Sequence, residues 1–315
     1  MTDLAQWLSA QTDDADLGEA ILSMAAAGAE IAAVLRQAPI AGQTGLAGSD
    51  NVQGEAQKAL DVISNDINLN HLEANAAISI LVSEELDEAV ELSSQGRLIV
   101  ATDPLDGSSN LDVNVTVGTI FSILARAGGP LQKGRAQLAA GYVAYGPATS
   151  LVVRIAGPTS IFTLSNEGEW VQTVAEAKVP VASGEFAINT ARERFWDAAT
   201  TGYVRENIAG DTGPAGKRYN MRWVGSMVAD IHRILMRGGI FLYPLDSETI
   251  GKGGRLRLLY EASPMAWLVE GAGGRSTTGT QDILEVEPID IHQRVPVVLG
   301  SADEVKRVED WYGRG

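Results

Sequence analysis

The sequence predicts an α/β chain, equally describable as α+β, whose mixed sheets are covered on both faces. Three observations predict it. Short runs such as "AISILVSEE", "RLIVATD", "TVGTIFSILAR", "LAAGYVAYG", "TSLVVRIA" and "SIFTLS" carry β-branched and aromatic residues, and several are apolar throughout. Continuous apolar runs, as opposed to alternating ones, belong to strands with no wet face. Long stretches before these runs repeat apolar residues at helical spacing, and after Pro180 strand-like and helix-like runs alternate.

Residues 17–36 place Leu17, Ile21, Met24, Ile31, Val34 and Leu35 at helical spacing among many alanines, which predicts a long amphipathic helix. Residues 39–55, "PIAGQTGLAGSDNVQGE", are dense in turn formers and predict a surface loop, its mobile part reaching residue 57. "AQKALDVISNDINLNHLEAN" returns to helical spacing through Leu60, Ile63, Ile67 and Leu72. Beyond the strand-rich middle, "FAINT", "GIFLYP" and "VPVVLG" predict strands, and "SMVADIHRILMRG" and "RLRLLYEASPMAWLVEGAG" predict helices. The change of pattern sets a soft boundary near Lys178, dividing the chain into 1–178 and 179–315.

With 40 acidic and 24 basic side chains among 315 residues, the net charge is -16. Affinity for nucleic acid comes from Lys and Arg neutralising phosphates, so this balance argues against it, and equally against an anionic membrane surface. A small anionic substrate remains open where metal or a local Arg cluster reverses the sign. The absence of cysteine excludes disulfides, thiolate catalysis and Cys-based zinc sites. The N-terminus lacks a basic n-region and an apolar h-region, and no apolar run is expected to reach membrane-span length. The expectation is a soluble cytoplasmic protein.

Chemistry concentrates in "LIVATDPLDGSSNLD", where a buried strand ends in Asp103 and Asp106 and breaks into Gly107-Ser108-Ser109. Two carboxylates at one strand tip repel each other unless a cation offsets them. "ISILVSEE" ends in Glu84-Glu85, and the helical run "LRLLYEASPM" carries Glu261 among apolar residues. Neighbouring strand ends converge in α/β sheets. Oxygen donors without Cys or His favour Mg²⁺ or Mn²⁺ over zinc, and the Leu105 carbonyl, turned out after Pro104, can add a neutral ligand. The Gly107, Ser108 and Ser109 amides form an anion nest beside it, so the charge balance is that of a phosphoryl-transfer site. Taken singly, Asp-Pro-Leu-Asp-Gly is a good turn, Glu84-Glu85 a solvated strand end, and Glu261 an ambiguous half-buried acid. Their coincidence is what favours chemistry. His71, His232 and His292 show no metal-ligand spacing and read as structural or surface residues, and "GAGGRS" after a helix reads as a C-cap and turn.

Together, "NVQGEAQKALDVISND", "ILVSEE", "ATDPLDGSSNLD", "VGTIF", "RWVGSMVADIHR", "GGIFLYP", "GRLRLLYEASPMAWLVEGAGG" and "DIHQRVPVVLGS" resemble class I fructose-1,6-bisphosphatase over nearly the whole chain. The acid motif alone is shared with the wider Mg²⁺-dependent, lithium-sensitive sugar and inositol phosphatases. The resemblance implies a layered α-β-α-β-α sugar phosphatase fold of two packed subdomains. It implies hydrolysis of the 1-phosphate of fructose 1,6-bisphosphate, in gluconeogenesis or the Calvin cycle, with two or more Mg²⁺ ions per subunit. Glu84, Asp103, Leu105, Asp106 and Glu261 would hold metal, Glu55 would close over a further ion, and Asp61 with Glu85 would polarise the attacking water. Asn189 and Tyr243 match positions that hold the 6-phosphate. Arg222 matches an arginine that reaches the neighbouring subunit's site, which implies a homotetramer. Three positions depart: Arg192 and Trp223 stand where vertebrate-type members have Tyr, and Arg255 where they have Lys. Arg255 keeps the charge and adds bidentate geometry, while Arg192 is either a further phosphate contact or a surface ion pair.

Two other readings stand beside this one: a bisphosphatase acting on sedoheptulose 1,7-bisphosphate, alone or as well, and an idle phosphate-sensing subunit, which would have no chemical reason to keep the full acid set. AMP-inhibited relatives grip phosphate with amides and hydroxyls at the first long helix and with a Lys-Tyr pair on the strand entering the acid motif. Here Asp13, Asp14 and Asp16 crowd that helix start and the pair is Arg97-Leu98. Carboxylates at a helix N-terminus occupy what an incoming phosphate needs, so insensitivity to AMP and to dithiol reductants is expected.

Overall fold

The computed structural model describes residues 2–43, 46–50 and 56–314, of which 46–50 and 56–58 are described in backbone alone. Five layers alternate α-β-α-β-α, as expected. The outermost helices, Leu4–Gln11, Ala15–Ala41 and Ala59–Glu73, bury Trp7, Ile21, Met24, Ile31 and Leu60 against one face of an eight-stranded sheet. Its strands run, in spatial order, Trp170–Val174, Ser160–Leu164, Thr149–Arg154, Ala139–Tyr145, Val117–Ala125, Leu98–Asp106, Ile78–Ser83 and Val90–Glu91. Every pairing is antiparallel except that of Ile78–Ser83 with Leu98–Asp106, which is parallel.

The opposite face of that sheet is covered by the helices Met227–Arg237 and Ser263–Gly271, through Val228, Ile231, Met265 and Leu268. The same two helices meet a second sheet on their far side, where Phe241, Val297 and Leu299 join their core. This sheet orders Asn220–Met221, Glu185–Ala187, Ile240–Tyr243, Val297–Gly300 and Arg275–Thr277. Its outer face carries the helices Ala198–Ala209 and Ala302–Tyr312, which bury Tyr203, Val204, Val305 and Val308. Each sheet thus has a helix layer on both faces, which is why Leu98–Asp106 is buried along its entire length.

Local sequence explains the packing of the first layer. Asp14 caps Ala15–Ala41 by accepting from the Leu17 amide, and Gly42 ends it in the left-handed region at φ 70°. Gly28 lets this helix approach the sheet closely, since a Cβ there would lie 2.6 Å from the Val143 side chain. By length and composition alone this 27-residue helix is long and apolar enough to cross a membrane. That corrects the expectation that no run reaches span length: here its apolar face lies buried against the sheet. The loop expected from residue 39 is also corrected. The helix continues through Pro39 to Ala41, and the strands Leu46–Asp50 and Ala56–Lys58 pair antiparallel within the stretch. Glu55 and residues 44, 45 and 51–54 lie outside the described residues, as does any test of that loop's mobility.

Candidate active site

A β-bulge brings the two aspartates together. In a regular strand, residues three apart point to opposite faces. Here Asp103 faces Ile120 across the ladder and Asp106 faces Gly118, so three steps on one strand match two on its neighbour. The extra residue turns both carboxylates to one face. That face is the one shared by Ile99 and Ala101, which pack on Leu259 and Tyr260, so both acids look towards Glu261. Pro104 supplies the local cause, because it has no N–H to give the ladder.

Glu261 sits on a single π-helical turn, Leu258–Ala262, wedged between the strand Leu256–Arg257 and the helix Ser263–Gly271. The continuous helix expected over this stretch is therefore corrected: it begins as a strand and opens as a π-turn, a feature frequent at functional sites. Glu261 Oε2 accepts from the Arg257 amide at 2.5 Å. Asp106 Oδ2 accepts from Ser226 Oγ at 3.1 Å and the Val228 amide at 2.9 Å, which sets it on the positive end of Met227–Arg237. Asp103 Oδ1 accepts from the Leu105 amide at 2.9 Å. One carboxylate oxygen from each of Asp103, Asp106 and Glu261 lies within 4.8 Å of the others, and all three residues are buried. Glu84 follows the parallel neighbour strand, and its amide donates to the Thr102 carbonyl at 3.1 Å, placing it next to Asp103. Its carboxylate meets the Arg257 guanidinium at 3.2 Å.

Burial pushes the Asp103 carboxyl well above the usual range, and the charges of Glu84, Asp106 and Glu261 push it further. Burial lifts Asp106 to about 6 against the opposing bonds from Val228 and Ser226. Burial and Glu84 raise Glu261, with Arg257 working the other way. Buried carboxylates crowded to this degree, all oxygen donors, suit a hard divalent cation.

Beside them, Gly107 adopts φ 77° and heads the short 3₁₀ turn Ser108–Val113. A side chain at Gly107 would meet Ser226 Cβ at 2.8 Å, so glycine alone fits both the backbone and the space. Asn110 ties this turn to the Gly225 carbonyl at 3.1 Å, with Ser108 half-buried and Ser109 exposed. On the other side, Asp61 is buried on Ala59–Glu73. One turn on, Asn65 accepts from Ser83 Oγ at 2.7 Å, and Ser83 accepts from the Glu85 amide at 3.3 Å, so one hydroxyl links the elements that carry Asp61 and Glu85.

The residues expected at the sugar end come from the second sheet. Ala187 and Phe241 are register partners on parallel strands, so Asn189 and Tyr243, each two residues further, leave the same sheet end. Trp223 stacks on Phe241 and meets Tyr243 edge-on, and Arg255 lies over the Tyr243 ring at 6.0 Å. Arg192 is held by Asp246 at 2.7 Å and Glu248 at 3.0 Å, the ion pair that its sequence context left as one of two options. It nonetheless lines a cavity of about 370 Å³ with Lys252, Arg255 and Arg294. Arg222 is half-exposed and meets Glu185 at 3.6 Å, where Arg233 and Arg237 also converge.

Comparison with known proteins decides the family. The description "Fructose-1-6-bisphosphatase, N-terminal domain" matches residues 4–175, and its C-terminal counterpart matches 179–313. A fructose-1,6-bisphosphatase class 1 of Neisseria meningitidis serogroup A is 52% identical over 295 residues, covering 92% of this chain and 91% of the relative. The chain belongs to the fructose-1,6-bisphosphatase family. A second family member, from Shewanella amazonensis, is 46% identical over 312 residues, 97% of this chain and 98% of that one. The crystal structure of Leishmania major fructose-1,6-bisphosphatase in holo form superposes with a TM-score of 0.94 at 33% identity, covering 99% of both chains.

Within this family fold, sequence reasoning overlooked Arg257, Ser226 and the Asn65–Ser83 link. Arg257 had a readable signal, a cation four residues before Glu261 in "RLRLLYE". Ser226 acts through a helix N-terminus distant in sequence, which spacing does not reveal. The histidines are structural pairs: His71 with Glu30, His232 with Tyr142, and His292 with Tyr260.

Proposed function

We propose that this chain hydrolyses the 1-phosphate of fructose 1,6-bisphosphate to fructose 6-phosphate and inorganic phosphate, as a soluble cytoplasmic homotetramer using two or more Mg²⁺ ions per subunit, with Mn²⁺ a substitute. The observation that carries it is the convergence of three buried carboxylates within 4.8 Å in a chain of this family. Glu84, Asp103, Asp106, Glu261 and the Leu105 carbonyl are the ligand set, with Glu55 completing it from the adjoining segment. When bound, the ions supply positive charge to the phosphate oxygens and lower the pKa of water.

The chain's own residues do the rest. The Gly107, Ser108 and Ser109 amides bind the oxygens of the reacting phosphate and hold phosphorus in line with the attacking water. Asp61 and Glu85 orient that water and take its proton. The residues after 178 hold the sugar: Asn189, Tyr243, Arg192 and Arg255 face its distal phosphate, and Arg222 serves the neighbouring subunit's site. The residues up to 178 carry the phosphate turn and the other acids, while those after 178 also supply Glu261.

A phosphate-release assay with Mg²⁺ on fructose 1,6-bisphosphate and sedoheptulose 1,7-bisphosphate tests the reading. Metal-dependent release from the fructose compound, abolished by chelation, is expected. Release from the seven-carbon compound alone would reassign the substrate, and release from neither would overturn the proposal.

A further inference from the structure

Behind the carboxylates, on the other face of the large sheet, a buried chain of hydroxyls ends on the bulge. Thr119 Oγ1 donates to the Pro104 carbonyl at 2.8 Å, and Tyr145 Oη lies 2.7 Å from the same Thr119 oxygen. Thr119 has one hydroxyl proton, and the carbonyl can only accept it. Tyr145 must therefore be the donor to Thr119, which fixes the polarity of the chain as Tyr145 to Thr119 to Pro104. Both side chains are buried, and bonds in such a chain strengthen one another. Thr119 alternates with Ile120, which faces the acid side, and shares its face with Val117 and Phe121, which pack against the outer helices. It stands behind the carboxylates, on the opposite face of the sheet.

Its target is the peptide on which the site's geometry turns. Pro104 lies inside the register shift between Asp103 and Asp106, the shift that brings both carboxylates to one face. With the Pro104 carbonyl held towards Thr119, the plane of the next peptide is constrained, and with it the direction of the Leu105 carbonyl.

We infer that Thr119 and Tyr145 are positioning residues that lock the bulge in its ligand-presenting form, so that Asp103, Leu105 and Asp106 are preorganised for a divalent ion. The inference rests on the reading of these acids as a metal site and adds to it a source of preorganisation. Partners that orient metal ligands tune affinity, and losing one typically weakens binding by about 10–100-fold.

Calorimetric titration of Mg²⁺ and Mn²⁺ into the metal-free protein tests it, with melting temperature followed in parallel. Thr119→Val keeps the shape and removes the hydroxyl; its divalent-ion Kd should rise by about 10–100-fold. Thr119→Ser should restore the Kd to within about threefold, since it returns the donor. Tyr145→Phe, which leaves the Thr119 bond in place, should raise the Kd by about two- to threefold through lost cooperativity, and serves if the valine variant does not fold. A lower melting temperature with an unchanged Kd in Thr119→Val and Tyr145→Phe would overturn the inference and leave these hydroxyls a purely structural role. Failure of the wild type to bind either ion would instead overturn the metal-site reading itself.

Discussion

Two groups of buried acid in this chain are treated in opposite ways. Glu304 is wholly buried on the helix Ala302–Tyr312, and every neighbour matches it: Lys217 at 2.7 Å, Arg307 at 2.8 Å, and the hydroxyls of Tyr203 and Tyr219. Asp103, Asp106 and Glu261 are buried almost as deeply, yet their charged neighbours are mainly one another and Glu84. Arg257 answers only part of that charge. Burial of a carboxylate is common to both places, so burial does not mark a site. The sign of what surrounds the carboxylate does: Glu304 is matched within the chain, whereas among the described residues the acid cluster lacks matching positive charge and calls for a cation from outside.

The contrast is broken most severely at the cluster. Asp103→Asn or Glu261→Gln should reduce turnover at saturating Mg²⁺ by at least about a thousandfold. The same change should leave the melting temperature of the metal-free protein equal or higher, because it relieves repulsion. Glu304→Ala should do the reverse. Removing one member of a buried ion pair strands the other charges, and denaturant unfolding should show a loss of about 3–5 kcal/mol. The kcat and KM of the folded enzyme should not change. An Asp103→Asn protein markedly less stable than wild type would mean that the cluster is matched internally after all.

Acidity sharpens the comparison further. Asp106, ordinarily near 3.8, is raised to about 6 by burial. Between these values the folded metal-free protein binds more protons than the unfolded chain, so its stability falls as pH rises through this range and stays low above it. Saturating Mg²⁺ should flatten or reverse that slope, because the ion takes the proton's place. Thermal melts from pH 4 to 7, with and without metal, check it; a metal-free protein that gains stability across this window would contradict the raised carboxyl.

The smallest effect is expected at the start of the first long helix. Arg97, half-exposed, is clamped by Asp14 and Asp16, and Asp14 also caps the helix through the Leu17 amide. Asp14 already sits on the helix N-terminus and Arg97 already has two anions, so AMP should not inhibit the enzyme. Arg97→Ala should change stability by less than about 1 kcal/mol. Cooperative AMP inhibition lost in that variant would show that the clamp opens to a nucleotide.

Much of this was legible in the sequence because it is local. The strand around Asp103, the acids at its tip and the glycine that only this turn permits all declare themselves within fifteen residues. That both sheet faces are covered followed from apolar runs with no polar face, whereas the layer order came with the family resemblance. What escaped depends on register. Pro104 marked a turn, but only the pairing of Asp103 with Ile120 and Asp106 with Gly118 converts a three-residue spacing into one shared face. The π-turn under Glu261 was hidden because a run of leucines suits α, π and strand geometry alike. The helix Ala198–Ala209 was missed because Tyr203 and Val204 are its chief buried apolar residues, too few to give a period. Thr119 and Tyr145 lie 26 residues apart, and neither has a spacing that points to Pro104.

The central claim is that the acid cluster is a cation site built with the cation missing from its charge balance. Isothermal titration of Mg²⁺ into the metal-free enzyme at pH 6, repeated in buffers of different ionisation enthalpy, tests it most directly. Stoichiometric binding with release of protons is predicted, since burial raises Asp106 to about 6 and pushes Asp103 and Glu261 upward as well, and binding should be lost in Asp103→Asn. Equal binding by wild type and Asp103→Asn, with no proton released, would contradict it.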